Sequence, residues 1–252
     1  MMILAIAGRE LRSLFLSPLA WAILAVVQLI LAYMFLVQVD FFMQIQARLA
    51  AINDAPGATQ LIATPLFGNT AFVLLLVAPL VTMRLVSDER RNQTLSLLFS
   101  APVTMTEIIL GKYIGVIVFL LIMIALILLM PLSLLAGGTL DFGMLSSGLL
   151  GLVLLMASFA AVGLFMSTLT AQPTIAAISS FGVMLLLWIL DWAGKSQGSE
   201  AESVFAYLSI LRHYEPMLKG VFNSSDVIYY LLFICTFLIL SIRRLDADRL
   251  QH

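Results

Sequence analysis

Residues 142–190 read FGMLSSGLLGLVLLMASFAAVGLFMSTLTAQPTIAAISSFGVMLLLWIL and contain no charged side chain across 49 positions. A membrane-spanning helix needs about 20 residues at about 1.5 Å each, so this stretch is too long for one span. It breaks at STLTAQPT, residues 167–174, where Pro173 favours the first turn of a new helix and disfavours continuation of the old one. The stretch therefore predicts two spans, at about 145–168 and 173–192.

The whole chain is too apolar for a water-soluble protein. Of its 252 residues, 62% are hydrophobic and only 11% are charged, whereas a soluble domain has about 25% charged residues. The net charge of −1 argues against a nucleic-acid-binding protein. The single cysteine, Cys235, has no partner for an intrachain disulfide. Composition therefore predicts an all-α, polytopic membrane protein.

Four further apolar runs predict spans at about 18–39, 65–85, 112–136 and 226–243. We therefore expect six transmembrane helices in a single transmembrane domain that covers residues 1–252. Because six is even, both termini lie on one side of the membrane. With the termini in the cytoplasm, nine basic residues lie on the cytoplasmic side and four on the outer side, which satisfies the positive-inside rule.

Two amphipathic segments are expected outside the spans. In residues 2–15, MILAIAGRELRSLF, the apolar residues share one helical stripe and Arg9, Glu10 and Arg12 lie opposite. This pattern is typical of an interfacial helix on the inner membrane surface, and the alternative is a plain extension of the first span. Residues 193–226 begin with a polar stretch and then become amphipathic, so they predict one or two short re-entrant helices on the outer side, before the last span.

Charge is concentrated in residues 87–112, which read SDERRNQTLSLLFSAPVTMTEIILGK and hold six of the chain's 27 charged residues. Ser87 or Asp88 is suited to cap a helix, and the acids Asp88 and Glu89 are favoured near its positive end. The apolar body that follows is stopped by Pro102 and comprises Leu95, Leu97, Leu98 and Phe99. These signals predict one short cytoplasmic helix that is presented to a partner. The alternative is an ordinary loop whose basic residues only fix the topology.

The charged window also carries a family resemblance. From Asp88, the pattern Asp-Glu-Arg-Arg-x-x-Thr-Leu-x-Leu-Leu-x-x-x-Pro-Val, followed by Ile-x-x-Gly-Lys, resembles the motif after the second span of type-2 (ABC-2) ABC-transporter permeases. Within that family it is most similar to the gliding-motility-type (GldF-like) membrane subunits. The resemblance continues in LTAQPTIAAISSF and in RHYEPMLKGVFNSSDVIYYL, residues 212–231, and covers nearly the whole chain. The family usually has Gly-Thr-Leu-Glu where this chain has Gln93-Thr94-Leu95-Ser96.

The resemblance implies the permease subunit of an ATP-driven transporter of the exporter type, in a bacterial cytoplasmic (inner) membrane. It implies that the chain binds no cofactor, and that ATP and Mg bind a separate ABC ATPase subunit. The other implied partners are a second permease copy or a related permease chain, a membrane-anchored auxiliary (GldG-like) subunit and the lipid membrane. The chain itself has no phosphate-binding loop, because Gly111-Lys112 lacks the earlier glycine and is followed by Tyr113.

The resemblance also implies four groups of site residues. Those of the coupling helix, which contacts the ATPase, are Asp88, Glu89, Arg90, Arg91, Thr94, Leu95, Leu98, Phe99 and Pro102. Those of a second, weaker contact are Thr170, Gln172 and Pro173. The interfacial helix resembles the elbow helix of these exporters and contributes Arg9, Glu10 and Arg12. The outer-helix motif comprises His213, Tyr214, Glu215, Lys219, Gly220 and Asp226.

Other functions are weighed against this one. An intramembrane protease needs paired acids, a Ser–His set or metal ligands within the spans, and a proton-coupled carrier needs ionisable groups at membrane depth. No Asp, Glu, His, Lys or Arg lies in the middle of a predicted span. A non-transporting anchor or force-transmitting subunit of an ATPase-linked envelope complex stays open. His213 suits a polar contact better than a metal site, because it is a single histidine without nearby ligands. Gly111 and Gly115 form a G-x-x-x-G pair that packs helices either within the subunit or across a dimer.

Overall fold

A computed structural model describes residues 2–49, 56–94, 103–137, 139–194 and 208–249, and these residues form helices and turns without a strand. In chain order, the α-helices of these ranges are α1 (Met2–Leu16), α2 (Pro18–Leu49), α3 (Thr64–Thr82), α4 (Ser87–Arg91), α5 (Met105–Ser133), α6 (Phe142–Leu169), α7 (Pro173–Gly194), α8 (Ile210–Leu218) and α9 (Ser224–Arg249). A π-helical turn, Thr59–Ala63, precedes α3, and a 3₁₀ turn, Leu134–Ala136, follows α5.

Six helices of the described ranges are long and apolar enough to cross a membrane, namely α2, α3 with its flanking turns, α5, α6, α7 and α9. The predicted all-α, polytopic fold is therefore confirmed. Several helices run past the predicted span limits, most of all α2, which continues to Leu49, α5, which begins at Met105, and α9, which continues to Arg249. The division into one domain and the span limits themselves stay predictions.

The early start of α5 has a local cause in a capping box. Thr104 Oγ1 accepts a hydrogen bond from the Glu107 amide at 3.2 Å, and Glu107 Oε2 accepts one from the Thr104 amide at 3.0 Å. The two side chains thereby satisfy amides that have no partner in the first helical turn. As a result, Lys112 lies two turns inside α5 instead of at its beginning.

Helix α6 is the centre of the bundle, with α3, α5, α7, α8 and α9 packed around it. Its small residues allow two neighbours to approach closely. A Cβ atom on Gly163 would lie 2.0 Å from Thr82 Oγ1 of α3, and one on Gly151 would lie 3.0 Å from Met217 Sδ of α8. Contacts of this length exclude a larger side chain, so these glycines serve packing within the subunit.

Helix α1 is separate from the first span and packs along α5. It ends at Leu16, and α2 begins at Pro18, so the alternative of one continuous helix is wrong. The contact is made at the G-x-x-x-G pair, where a Cβ on Gly111 would lie 2.7 Å from Ile6 Cβ and one on Gly115 would lie 3.0 Å from Ala7 O. The pair therefore joins two helices of the same subunit.

We call the two ends of the bundle the α4 face and the α8 face. The α4 face contains α1, α4, the turn between α6 and α7, and the C-terminal end of α9. The α8 face contains α8 and the turn before α6. On this face Thr64 Oγ1 donates to Leu218 O at 3.2 Å and the Tyr214 hydroxyl donates to Phe67 O at 3.0 Å, which fixes α8 on the bundle. Residues 195–207 of the predicted re-entrant segment lie outside the described residues.

Candidate partner interface

Helix α4 is a single short turn of helix, and another helix supplies its cap. Its N-cap position is Val86, which has no capping side chain. Instead, Ser167 Oγ of α6 accepts hydrogen bonds from the amides of Val86 and Ser87, at 3.0 and 3.1 Å. Ser167 also donates to Met83 O at 3.1 Å. The prediction that Ser87 or Asp88 caps the helix is therefore wrong, because Ser167 takes that role from the core of the bundle.

Glu89 points from α4 back into the bundle, where it meets a buried lysine. Its Oε1 atom lies 2.8 Å from Lys112 Nζ of α5, and Lys112 is only 1% exposed. Glu10 of α1 approaches the same ammonium at 3.5 Å, and Arg9 of α1 approaches Glu89 Oε1 at 3.6 Å. We call Arg9, Glu10, Glu89 and Lys112 the Lys112 cluster. It connects three helices that are distant in sequence.

The Lys112 cluster contains two cations and two carboxylates, so its formal charges cancel. A buried ammonium is tolerated only where carboxylates and hydrogen bonds replace its lost water. Removing one member of such a cluster leaves the others with an uncompensated buried charge. The position of α4 relative to α1 and α5 is therefore tightly specified.

Arg90 makes the corresponding connection on the other side of α4. Its guanidinium donates to Thr168 O of α6 at 2.8 Å and forms an ion pair with Asp248 of α9. Asp248 is itself buried and is also approached by Arg244 at 3.5 Å. Glu89 and Arg90 thus tie one short helix to α1, α5, α6 and α9.

The C-terminal end of α4 is exposed and bends sharply. Gln93 has a φ of 57°, in the left-handed region, and the Thr94 amide bonds to Glu89 O at 3.0 Å while the Gln93 amide bonds to Arg90 O at 3.3 Å. These two bonds define a Schellman motif, which ends a helix. The prediction of one helix from Ser87 to Pro102 is therefore wrong, because α4 ends at Arg91. The predicted apolar body, Leu95, Leu98 and Phe99 with Pro102, lies outside the described residues.

The remaining predicted residues of this face lie around α4. Helix α4 contacts both α6 and α7, whose connecting turn contains Thr170 and Gln172. Thr170 Oγ1 accepts a hydrogen bond from the Gln172 amide at 3.1 Å, and α7 begins at Pro173. The structure therefore brings the predicted first and second contacts together. Asp88 is half-buried beside the Lys112 cluster, whereas Arg12 and Arg91 are exposed.

The predicted outer-helix motif lies on the α8 face, far along the bundle from α4. His213 Nδ1 lies 2.7 Å from Asp226 Oδ1, both residues are buried, and the imidazole stacks on Tyr229 with ring centroids 4.0 Å apart. Burial raises the pKa of the Tyr214 phenol well above its usual value, so its hydroxyl stays protonated and remains a donor. The other members are peripheral: Glu215 is half-buried, and Lys219 and Gly220 are exposed.

Neither face offers a metal site in the part of the chain that the structure describes. His213 has one carboxylate beside it, and these residues contain no group of three or more His, Cys, Asp or Glu side chains that could hold a metal ion. His213 instead makes a buried polar contact, as the sequence predicts.

Sequence reasoning missed three residues of the α4 face: Lys112, Ser167 and Asp248. A signal for Lys112 was available, because the T-x-x-E pattern of Thr104 and Glu107 marks a helix start and places Lys112 inside the helix. No local signal identifies Ser167 or Asp248, since each acts on residues about 80 or more positions away.

The comparison with known protein families agrees with this architecture. Residues 4–250 match the model of the ABC-2 family transporter proteins, and the chain belongs to that family. No curated protein sequence matches the chain significantly. The protein is thus a multi-pass membrane permease subunit of an ABC transporter, and not the ATPase itself. Permeases of this family typically work with an ABC ATPase subunit.

Proposed function

We propose that this chain is the permease subunit of an ABC exporter, and that α4 couples it to a separate ATPase subunit that binds ATP and Mg. One observation carries the proposal: α4 is fixed to four other helices by inward-pointing charges, while its end is exposed. Glu89 and Arg90 form the fixed connections, and Arg91 to Thr94 form the exposed end. A partner that displaces this end also displaces the helices to which α4 is tied.

The Lys112 cluster is the element that transmits the movement. Because Glu89 and Glu10 share one ammonium, α4 cannot move outward without separating charges or drawing α1 and α5 with it. Separating such buried pairs is costly, so movement of the helices as a rigid body is favoured. The connection of Arg90 to Asp248 extends the same argument to α9.

We further propose that the protein lies in a bacterial cytoplasmic membrane with both termini and the α4 face in the cytoplasm. The excess of basic residues on this side supports the orientation. Replacement of Cys235 by serine, followed by a single new cysteine at Asn92 or at Lys219, provides the test. An impermeant thiol reagent added to intact cells is expected to label the cysteine at position 219 and not the one at position 92. The reverse pattern would refute the orientation.

The finer proposals concern subtype and assembly. The resemblance to GldF-like permeases supports a complex of two permease chains, two ATPase subunits and a membrane-anchored GldG-like subunit. Native mass spectrometry of the complex, purified from its own membrane in a mild detergent, identifies these partners and their numbers. A fully active complex with one permease and one ATPase would contradict the proposed assembly.

A charge reversal at the exposed end of α4 tests the coupling itself. We expect Arg91→Glu to lower the amount of ATPase subunit that co-purifies with the permease, because Arg91 is exposed and available to a partner. Arg243→Glu is the matched control, since Arg243 is an exposed arginine of α9 on the same face. Equal retention of the ATPase in the two variants would contradict the proposal.

Vesicle assays separate the exporter from the alternative of a non-transporting anchor. The wild-type complex in vesicles is expected to move substrate only when ATP is hydrolysed. Candidate substrates are amphiphiles, lipids and hydrophobic peptides, because the predicted spans carry no Asp, Glu, His, Lys or Arg in their middle. ATP hydrolysis without movement of any of these would favour a subunit that only transmits force.

A further inference from the structure

A cavity of about 390 Å³ opens at the α4 face between α1, α2, α3, α4 and α5. Its lining is mixed: apolar side chains of α1, α2, α3 and α5 form part of the walls, and the polar residues are Arg9, Glu10, Ser13, Ser17, Arg84, Asp88, Glu89 and Lys112. All four members of the Lys112 cluster line the cavity, and the other four polar residues, Ser13, Ser17, Arg84 and Asp88, take no part in that cluster. Polar side chains outside the cluster are therefore available to a ligand in the cavity.

Three charged side chains of the cavity, among them the exposed Arg84, are available to a ligand among the described residues. Arg84 and Asp88 have no ion-pair partner there. Glu89 Oε2 is buried and has no hydrogen-bond partner, although Oε1 of the same carboxylate contacts Lys112. A buried acceptor without a partner is unfavourable, so a ligand that donates a hydrogen bond here is favoured. The spare groups are one cation and two acceptors, which matches a ligand that carries both charges.

An apolar groove of about 360 Å³ continues from the cavity along the outside of α2 and α3. The two spaces share Leu19, Ile23 and Leu80, and the groove itself has an entirely apolar lining. From Leu19 to Ile30, the groove follows α2 for about 16 Å at the helical rise. This distance is close to half of a hydrocarbon core about 30 Å thick, which is the depth of one leaflet.

We propose that the cavity and the groove together bind one phospholipid with a primary-amine headgroup, drawn from the leaflet at the α4 face. The phosphate lies near Arg84, Ser13 and Ser17, the ammonium group lies near Asp88 and Glu89, and an acyl chain fills the groove. This site does not depend on the direction of transport or on the identity of the cargo.

The charges favour this lipid over other occupants of the groove. The formal charges that line the cavity balance, with Arg9, Arg84 and Lys112 against Glu10, Asp88 and Glu89, so the net charge of an anionic headgroup would stay uncompensated. A quaternary ammonium has no N–H group to donate to Glu89 Oε2. A second copy of the chain packed on the groove would cover its apolar walls and leave the cavity charges unpaired. A lipid with a primary-amine headgroup therefore pairs with the charged groups of the cavity and fills the apolar groove.

The test is lipid retention, measured by native mass spectrometry of the purified complex after incubation with equal amounts of phosphatidylethanolamine, phosphatidylcholine and phosphatidylglycerol. We expect phosphatidylethanolamine to be retained about tenfold over the other two. Arg84→Gln is expected to lower its retention about tenfold, since one charged hydrogen bond is lost. Asp88→Asn is expected to reduce the preference for the amine headgroup. Equal retention of the three lipids by the wild-type protein would overturn the proposal.

Matched controls separate the proposed site from general effects on the membrane surface. Ala22 lines the groove and Ala25 is exposed on the same helix outside it, so Ala22→Trp is expected to abolish retention and Ala25→Trp to preserve it. Arg243→Gln is likewise expected to behave as wild type. The proposal fails if each control loses as much lipid as its partner variant. It also fails if Ala22→Trp releases a second permease copy while lipid retention is unchanged.

Discussion

The α4 face and the α8 face are held to the same bundle by different interactions. On the α4 face, ion pairs connect residues of α1, α4, α5 and α9, and Lys112 is buried among them. On the α8 face, tyrosine hydroxyls donate to backbone carbonyls, as Tyr214 does to Phe67 O and Tyr230 does to Ile210 O at 2.9 Å. One polar contact, between His213 Nδ1 and Asp226 Oδ1 at 2.7 Å, is enclosed by these contacts.

From this difference we expect the two faces to respond differently to a partner. Ion pairs between separate helices resist separation but tolerate a shared displacement, because the charges travel together. Tyrosine-to-carbonyl bonds are short and directional, so each of them holds a helix in its position relative to its neighbour. We therefore expect changes on the α4 face to alter both stability and partner binding. Changes on the α8 face should alter stability alone.

The largest effect is expected for Lys112→Met. It leaves Glu89 and Glu10 without their shared ammonium, and breaking a buried ion pair typically costs about 3 kcal/mol or more. Thermal unfolding in detergent measures the loss of stability, and co-purification measures retention of the ATPase subunit, which should also fall. Lys219→Met is the matched control on the α8 face, where the lysine is exposed. A variant as stable as this control would show that the Lys112 cluster contributes little.

His213→Ala is expected to have the next largest effect. It leaves the buried Asp226 carboxylate without its imidazole partner, at a cost of about 2 kcal/mol. Asn223→Ala, at an exposed residue of the turn between α8 and α9, should change the unfolding temperature little. Retention of the ATPase should match wild type at a temperature where the variant is folded. Loss of the ATPase under that condition would break the proposed division between the faces.

Tyr230→Phe is expected to cost about 1 kcal/mol, because it removes one buried hydrogen bond to Ile210 O without changing the ring. Tyr33→Phe is the matched control, since Tyr33 of α2 is 68% exposed. The difference in unfolding temperature between the two variants isolates the hydrogen bond. No difference would mean that ring packing alone holds this end of α9.

The smallest effect is expected for Gln93→Gly, which is a gain. The left-handed backbone conformation costs a residue other than glycine about 1 kcal/mol. Glycine removes that cost but loses about 0.5 kcal/mol through its greater freedom in the unfolded chain. Hydrogen exchange of the α4 amides should become slower than in Asn92→Gly, where the original φ of −84° offers no such gain. Faster exchange in Gln93→Gly would show that the glutamine side chain stabilises the turn by more than its backbone costs.

The bundle was predictable from the sequence because long charge-free runs have few alternatives to a membrane span. The end of α4 was not, because its turn depends on Gln93, a residue that gives no turn signal in a helical pattern. Position 93 has a positive φ, which glycine adopts most easily.

The partners of α4 were also beyond local reasoning. Charges in a membrane protein are expected at the ends of spans, so the sequence places Lys112 at the start of a span. The capping box at Thr104 shows that α5 begins two turns before Lys112. Its burial depends on Glu10 and Glu89, which lie in other helices. The burial of such a side chain can be identified only from a structure, in which segments distant in sequence lie together.

The packing of α1 on α5 sets an order of events during synthesis. Helix α1 leaves the ribosome first, but its binding surface at Gly111 and Gly115 follows roughly 100 residues later. At about 5–20 residues per second, this interval lasts about 5–20 s. During that time the membrane surface is the available cover for the apolar side of α1. The amphipathic character of α1 therefore holds the helix at the membrane surface during synthesis, before α5 is available for packing.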